Sequence, residues 1–282
     1  MPHATAHDFR RLRFAVVAVA SLAPDWLASR DGQLGMSVSL QTASVYALKH
    51  NYSLVLVTQP APGNETAYQR LDWAKVYSLQ RLMSDDSGRR LDCSRYDWLF
   101  WLESDVLITN LTVPLHSLVE DALRKRGDGY PASAILTIDA ASNVNTGTGL
   151  VRCSEGGLAL LRALAELRHT AADTPQVRAW VANGAAVLLM QEARWRRHVV
   201  ILPARRLNAY PRRPDLHGPL CGIVLNASKA DCPEDDVHWE PGDFVAHFAG
   251  VYPKWPAVER LLEAFPQASW PGYVQDIAPS VA

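Results

Sequence analysis

The chain has 282 residues, 48% hydrophobic and 20% charged, enough to bury the core of one large α/β domain or two small ones. A formal net charge of −1 supplies no global field toward nucleic acid or anionic lipid, so any anion site must be local. Cys93, Cys153, Cys221 and Cys232 follow no zinc-binding spacing, which argues against a structural metal cage; a disulfide between Cys221 and Cys232 would close a loop-like stretch.

In chain order, residues 1–9 read as a loose leader, 10–275 as a single domain and 276–282 as a tail. Arg10, Arg11 and Arg13 before the apolar run Phe14 to Ala20 imitate a signal peptide. The run is too short to span a bilayer, and its Val-rich character suits a first parallel strand better. Gln41 to His50 reads as the end of a helix crossing back to a strand at Ser53 to Thr58, after which Pro60, Pro62 and Gly63 break the pattern. Leu71, Val76, Leu79 and Leu82 mark a helical stripe over Leu71 to Met83. Trp98 to Leu102 is a strand buried on both faces, interrupted by Glu103-Ser104-Asp105 and resumed at Val106 to Ile108. Ala134 to Ile138 predicts a strand, Asn143 to Gly149 a turn, Leu150 to Arg152 a return to strand, and Gly156 to Leu167 an amphipathic helix. Val199 to Leu202 is a strand closed by Pro203, and Asp243 to Gly250 sets two aromatics around a histidine. No internal repeat or low-complexity linker appears, and the alternation of elements predicts a doubly wound or mixed α/β domain.

Two acids closing a buried apolar strand are costly unless something compensates them, and such conflicts mark functional sites. A bend at the strand end converges Glu103 and Asp105 on one hard cation, which would bridge to a diphosphate; a solvated acidic turn is the plainer alternative. His247 is either a satisfied core histidine or a third ligand that tilts the site toward Mn²⁺. Asn143-Val-Asn145-Thr-Gly147-Thr-Gly149 offers amides to sugar hydroxyls or phosphate oxygens, or is a plain turn. Lys75 either solvates its helix or binds an anion, and Lys254 either lies on the surface or reaches a diphosphate. Arg205, Arg206, Arg212 and Arg213 read first as an exposed loop. No P-loop, dinucleotide-binding or serine-hydrolase signature occurs, and Ser21 to Arg30 lacks the Gly-rich basic loop of a nucleotidyltransferase.

W-A-K at Trp73 to Lys75, Y-D-W-L-F-W-L-E-S-D at Tyr96 to Asp105, N-T-G at Asn145 to Gly147 and G-D-F-V-A-H-F-A-G at Gly242 to Gly250 together resemble glycosyltransferase family 34, the galactosyl/xylosyltransferases related to yeast mannan-type transferases. The resemblance implies a GT-A fold, a Rossmann-like, mostly parallel sheet flanked by helices. It also implies a nucleotide-sugar donor, Mn²⁺ or another divalent cation, and transfer with retention to an oligo- or polysaccharide or glycan acceptor. By that likeness Glu103, Asp105 and His247 are the metal ligands. Candidate donor contacts are Ser21, Lys75, Asn145, Gly147, Gly250 and Lys254, and candidate catalytic positions are Asn145, Asn183 and Lys254. The chain departs from the family pattern in three places. Glu103 replaces the first Asp of the metal motif, Asn183-Gly184 stands where an acidic pair is usual, and the basic residue after H-F-A-G is displaced to Lys254.

The expected function is therefore metal-dependent transfer of a hexosyl or pentosyl group from a nucleotide-sugar, a UDP-sugar by preference. The alternative is a weak or inactive nucleotide- or sugar-binding protein of the same fold. Asn51, Asn64, Asn110 and Asn226 each open a glycosylation sequon, four of the eight asparagines where chance supplies about one. That enrichment suggests a glycoprotein of the Golgi or secretory lumen, attached to the membrane only through an anchor outside this sequence; with coincidental sequons the chain would be cytoplasmic.

Overall fold

The computed structural model describes residues 9–19, 30–58, 63, 67–85, 90–126, 132–139, 144–211, 237–250, 257–258 and 261–262. The Val-rich run forms β1 (Phe14–Val19), buried at every position and paired in parallel with β2 (Ser53–Val57) on one side and β3 (Trp98–Glu103) on the other. Of the two readings open for this run, it takes up the interior strand. Beyond β3 lie β6 (Val144–Arg152), β5 (Ala134–Ile138) and β7 (Val199–Leu202), in the sheet order β2-β1-β3-β6-β5-β7. β6 runs antiparallel to both of its neighbours, while the other pairings are parallel.

Alternate residues of the sheet enter two separate cores, which is why the strands read as continuous apolar runs. Ala15, Val17, Leu99 and Trp101 pack with Trp73, Val76 and Leu79 of α2 (Ala67–Leu82) and with Leu158 and Leu161 of α4 (Glu155–Thr170). Phe14, Val16, Trp98 and Phe100 pack on the opposite face with Ala43 and Tyr46 of α1 (Arg30–His50) and Leu118 of α3 (Leu115–Arg126). α5 (Pro175–Gln191) adds Val177, Ala182 and Ala185 to the first core. Ser154 caps α4 by accepting from the Gly157 N–H, and Thr174 caps α5 ahead of Pro175. Two short helices, α6 (Ala193–Arg196) and α7 (Ala204–Leu207), flank β7. A small antiparallel ladder joins β4 (Val106–Ile108) to β8 (Val245–His247), with Val106 opposite His247.

Two expectations are corrected. The stretch Val144–Gly149 is not a turn but the first part of the central strand β6. Its Asn and Gly residues favour turns in isolation, but here they are small because rings lie across them: a Cβ on Gly149 would stand 2.5 Å from the Trp101 ring. Arg205 and Arg206 lie in α7 rather than in a loop; Arg205 pairs with Asp243 and Glu240, and Arg206 with Asp121. A disulfide that the spacing did not announce joins Cys93 and Cys153, with Cα atoms 5.6 Å apart. Cys221 and Cys232 lie outside the described residues.

Candidate functional site

The chain winds from β1 outward to β2, then returns to add β3 on the other side of β1. Winding therefore reverses between β1 and β3, and open α/β sheets hold ligands beyond the strand ends at such a point. β3 ends there on Glu103, opposite Val19, and the chain turns through Ser104 and Asp105 into β4. Ser39 of α1, buried, donates to the Val106 carbonyl at 2.7 Å and fixes this turn. Pairing of β4 with β8, extended by the Phe248 N–H donating to the Asp105 carbonyl at 2.9 Å, delivers His247 from a residue more than a hundred positions away. One ligating atom from each of Glu103, Asp105 and His247 then lies within 4.8 Å of the other two. His247 Nε2 is 3.5 Å from Asp105 Oδ1 and 3.9 Å from Glu103 Oε2.

The donor set fits a divalent cation. Asn208 Nδ2 donates to the Tyr210 hydroxyl at 3.0 Å, which leaves Asn208 Oδ1, 2.6 Å from His247 Nδ1, to accept that ring N–H. The lone pair is thereby placed on Nε2, which is buried and has no hydrogen-bond partner among the described residues. Leaving a buried acceptor unmade costs about 1–3 kcal/mol. A cation between Nε2 and the two carboxylates removes that cost, and an imidazole–carboxylate set suits Mn²⁺ or a similar ion.

Lys75, one reading of which was a solvated helix face, is only 1% exposed. Its ammonium lies between Asp72, one helical turn earlier on α2, and Glu103. Burial works to lower the Lys75 pKa, but the two carboxylates outweigh it and the value is raised. Burial raises Glu103 from 4.5 to about 7; Lys75 opposes the rise, while Asp72 and Asp105 add to it. The other oxygen of Asp72 accepts the Ala182 N–H at 2.7 Å. Ala182 follows a break within α5 at Val181, where φ is 49° and ψ −119°, strained for a β-branched residue. Asp72 thus caps the second segment of that helix from another part of the chain.

β6 forms a wall beside these groups. Gly147 lies against the imidazole, and a Cβ there would meet His247 Cε1 at 2.3 Å. Asn145 Oδ1 accepts the Gly147 N–H at 2.7 Å and its Nδ2 donates to the Tyr210 hydroxyl at 3.1 Å, so both ends of that amide are engaged inside the fold. Burial pushes the Tyr210 phenol well up, and Asp139 adds to the rise, so it stays a neutral hydroxyl. Asn183, at the start of the second segment of α5, accepts from the Thr146 N–H at 2.7 Å and from its hydroxyl at 2.5 Å. Gly184 admits no side chain, because a Cβ would stand 2.0 Å from the Gln176 carbonyl oxygen. Gly250 closes the β8 turn with φ 68°. Ser21 and Lys254 lie outside the described residues.

Among residues that the sequence reasoning missed, Asp72 carried a readable signal, a carboxylate three positions before a lysine on a helix. Asn208 and Tyr210 carried none. They reach His247 only because Ala209 bridges to Ala246 and its carbonyl accepts the His247 N–H at 2.7 Å.

This sheet, mostly parallel with one reversed central strand and helices on both faces, is that of a GT-A glycosyltransferase. Over residues 28–253 the chain matches the galactosyl transferase GMA12/MNN10 family, and it belongs to that family. The protein is accordingly a glycosyltransferase. A glycosyltransferase involved in the glycosylation of the major capsid of PBCV-1 has a similar structure, with a TM-score of 0.57 at 12% identity, covering 89% of this chain and 99% of that one. The galactosyltransferase LgtC in complex with donor and acceptor sugar analogs gives a TM-score of 0.47 at 11% identity, covering 91% and 98%. Apo mouse xyloside xylosyltransferase 1 gives 0.44 at 8% identity, covering 85% and 98%. A search of curated protein sequences finds no match.

Proposed function

We propose that the protein transfers a hexosyl or pentosyl group from a UDP-sugar to a hydroxyl of a carbohydrate acceptor, with retention of anomeric configuration. Glu103, Asp105 and His247 would hold Mn²⁺ or another divalent cation. The observation that carries this reading is His247 Nε2, buried, without a hydrogen-bond partner among the described residues and facing two carboxylates at the carboxyl end of β3. When bound, such an ion neutralises the charge that builds on the departing diphosphate.

In the step itself the bond from the anomeric carbon to the diphosphate oxygen breaks and a bond to the acceptor oxygen forms on the same face. The acceptor proton passes to the departing diphosphate oxygen, and we assign no protein base. Asn183 and the β6 segment Asn145 to Gly147 would border the donor sugar, and Ser21, Lys75, Gly250 and Lys254 the nucleotide diphosphate, Lys75 acting through Glu103. Residues 10–275 would form the catalytic domain. A Golgi or secretory lumen suits the sequons, among which Asn51 is exposed at a turn, and also suits the Cys93–Cys153 disulfide.

The test is a panel of nucleotide-sugars assayed for release of nucleoside diphosphate with and without Mn²⁺. The reading expects release from a UDP-sugar, dependent on the cation and abolished by Glu103→Gln. Turnover that persists in excess chelator, or nucleotide binding with no turnover of any donor, would overturn it.

A further inference from the structure

The carboxylate of Asp72 lies outside the cluster of Glu103, Asp105 and His247, and it is linked to Glu103 through the Lys75 ammonium. Lys75 is buried and bridges Asp72 to Glu103. If Glu103 were its sole partner, the ammonium would compete directly with a cation for that carboxylate. With Asp72 as a second partner, the ammonium is shared between two carboxylates and takes less of Glu103. Asp72 does not depend on Lys75 for its place, because its second oxygen is held by the Ala182 N–H at 2.7 Å. That bond also secures the strained Val181 turn, from which Asn183 reaches Thr146.

We propose that Asp72 is a positioning residue of the cation site: it draws the Lys75 ammonium partly off Glu103 and so leaves that carboxylate freer to hold a divalent ion. The inference rests on the reading of Glu103, Asp105 and His247 as cation ligands.

The test is Mn²⁺ affinity, read from the electron paramagnetic resonance signal of the free ion without donor or acceptor at fixed pH. The proteins compared are the wild type, Asp72→Asn, Lys75→Gln and the double variant, with Glu103→Gln as the control for the site. Asn is isosteric with Asp and keeps an acceptor for the Ala182 N–H. If Asp72 draws the ammonium away, Asp72→Asn should bind more weakly by roughly tenfold or more, since the ammonium then turns wholly to Glu103 and a unit charge is lost near the ion. Lys75→Gln should bind more tightly, and the double variant should return close to the wild type. A purely structural network instead expects both single variants to weaken and the double to be at least as weak as the worse one; that pattern overturns the proposal. Should Asp72→Asn fail to fold, the tightening in Lys75→Gln and its reversal in the double variant carry the same contrast. Wild-type binding that Glu103→Gln leaves unchanged would put the ion elsewhere and sink the site reading together with this inference, as would no binding at all. Binding lost in Glu103→Gln but unchanged in Asp72→Asn overturns the role of Asp72 alone.

Discussion

His247 is fixed from two sides: Asn208 accepts its Nδ1–H, and Gly147 leaves just the room its ring needs. Gly147→Ala should therefore displace the imidazole. Overpacking of this kind costs about 1–3 kcal/mol of stability. The fold should survive, while Mn²⁺ affinity and transfer both fall by roughly tenfold or more, because a ligand displaced from a short coordination distance loses most of its interaction. Metal titration beside a thermal melt separates the two effects. Glu103 supplies a pH signature. Its carboxyl has a value of about 7 in the folded protein without cation, against 4.5 ordinarily. The folded state therefore keeps a proton that the unfolded chain releases, and stability from this group is present below 4.5 and lost as pH rises through about 7. In chelator, the melting temperature should fall from about pH 5 to about pH 8. Saturating Mn²⁺ displaces the proton and should flatten or reverse the trend. A melting temperature that rises over that interval in chelator would show Glu103 to be ionised throughout.

At the scale of elements, β1 and β3 were legible as apolar runs because both faces of each are buried. β5 and β7 occupy the residues expected from their apolar runs, and β3 stops at its first acid. The helix over α2 was legible from its stripe, as Val76 and Leu79 are buried. The first part of β6 was not legible, since Asn and Gly have weak strand preference and only the rings of Trp101 and His247 make small residues favourable there. The break in α5 was also hidden. No sequence signal announces φ 49° at a valine, and the turn persists because Asp72, distant in sequence, satisfies the Ala182 N–H. The Cys93–Cys153 bridge closes a segment of 60 residues, ties the approach to β3 to the end of β6, and was equally invisible in the spacing. Chain-entropy reasoning gives it about 4 kcal/mol. The double change Cys93→Ser, Cys153→Ser should lower the denaturant midpoint by a corresponding amount without altering the Mn²⁺ affinity of the folded protein. A large change in affinity would mean that the bridge also shapes the site.

For the whole molecule, a ligand that binds only the folded state stabilises it by about 2.7 kcal/mol at a hundred times its dissociation constant. Mn²⁺ should raise the melting temperature, and a nucleoside diphosphate should raise it further only when Mn²⁺ is present, since the ion would bridge protein and phosphates. Stabilisation by the nucleotide in chelator equal to that with Mn²⁺ would argue against the bridge. By itself the sequence determined the layered α/β architecture, the apolar interior strands β1, β3 and β5, and the place where carboxylates break an apolar run. Those are consequences of hydrophobic periodicity, which acts over a few residues. Only tertiary structure decided that His247 meets those carboxylates, that Asn208 selects its tautomer, and that Lys75 is shared between Asp72 and Glu103. Each of those depends on strand register and helix packing between segments far apart in the chain, where local pattern carries no information about which groups come within a few ångströms of each other.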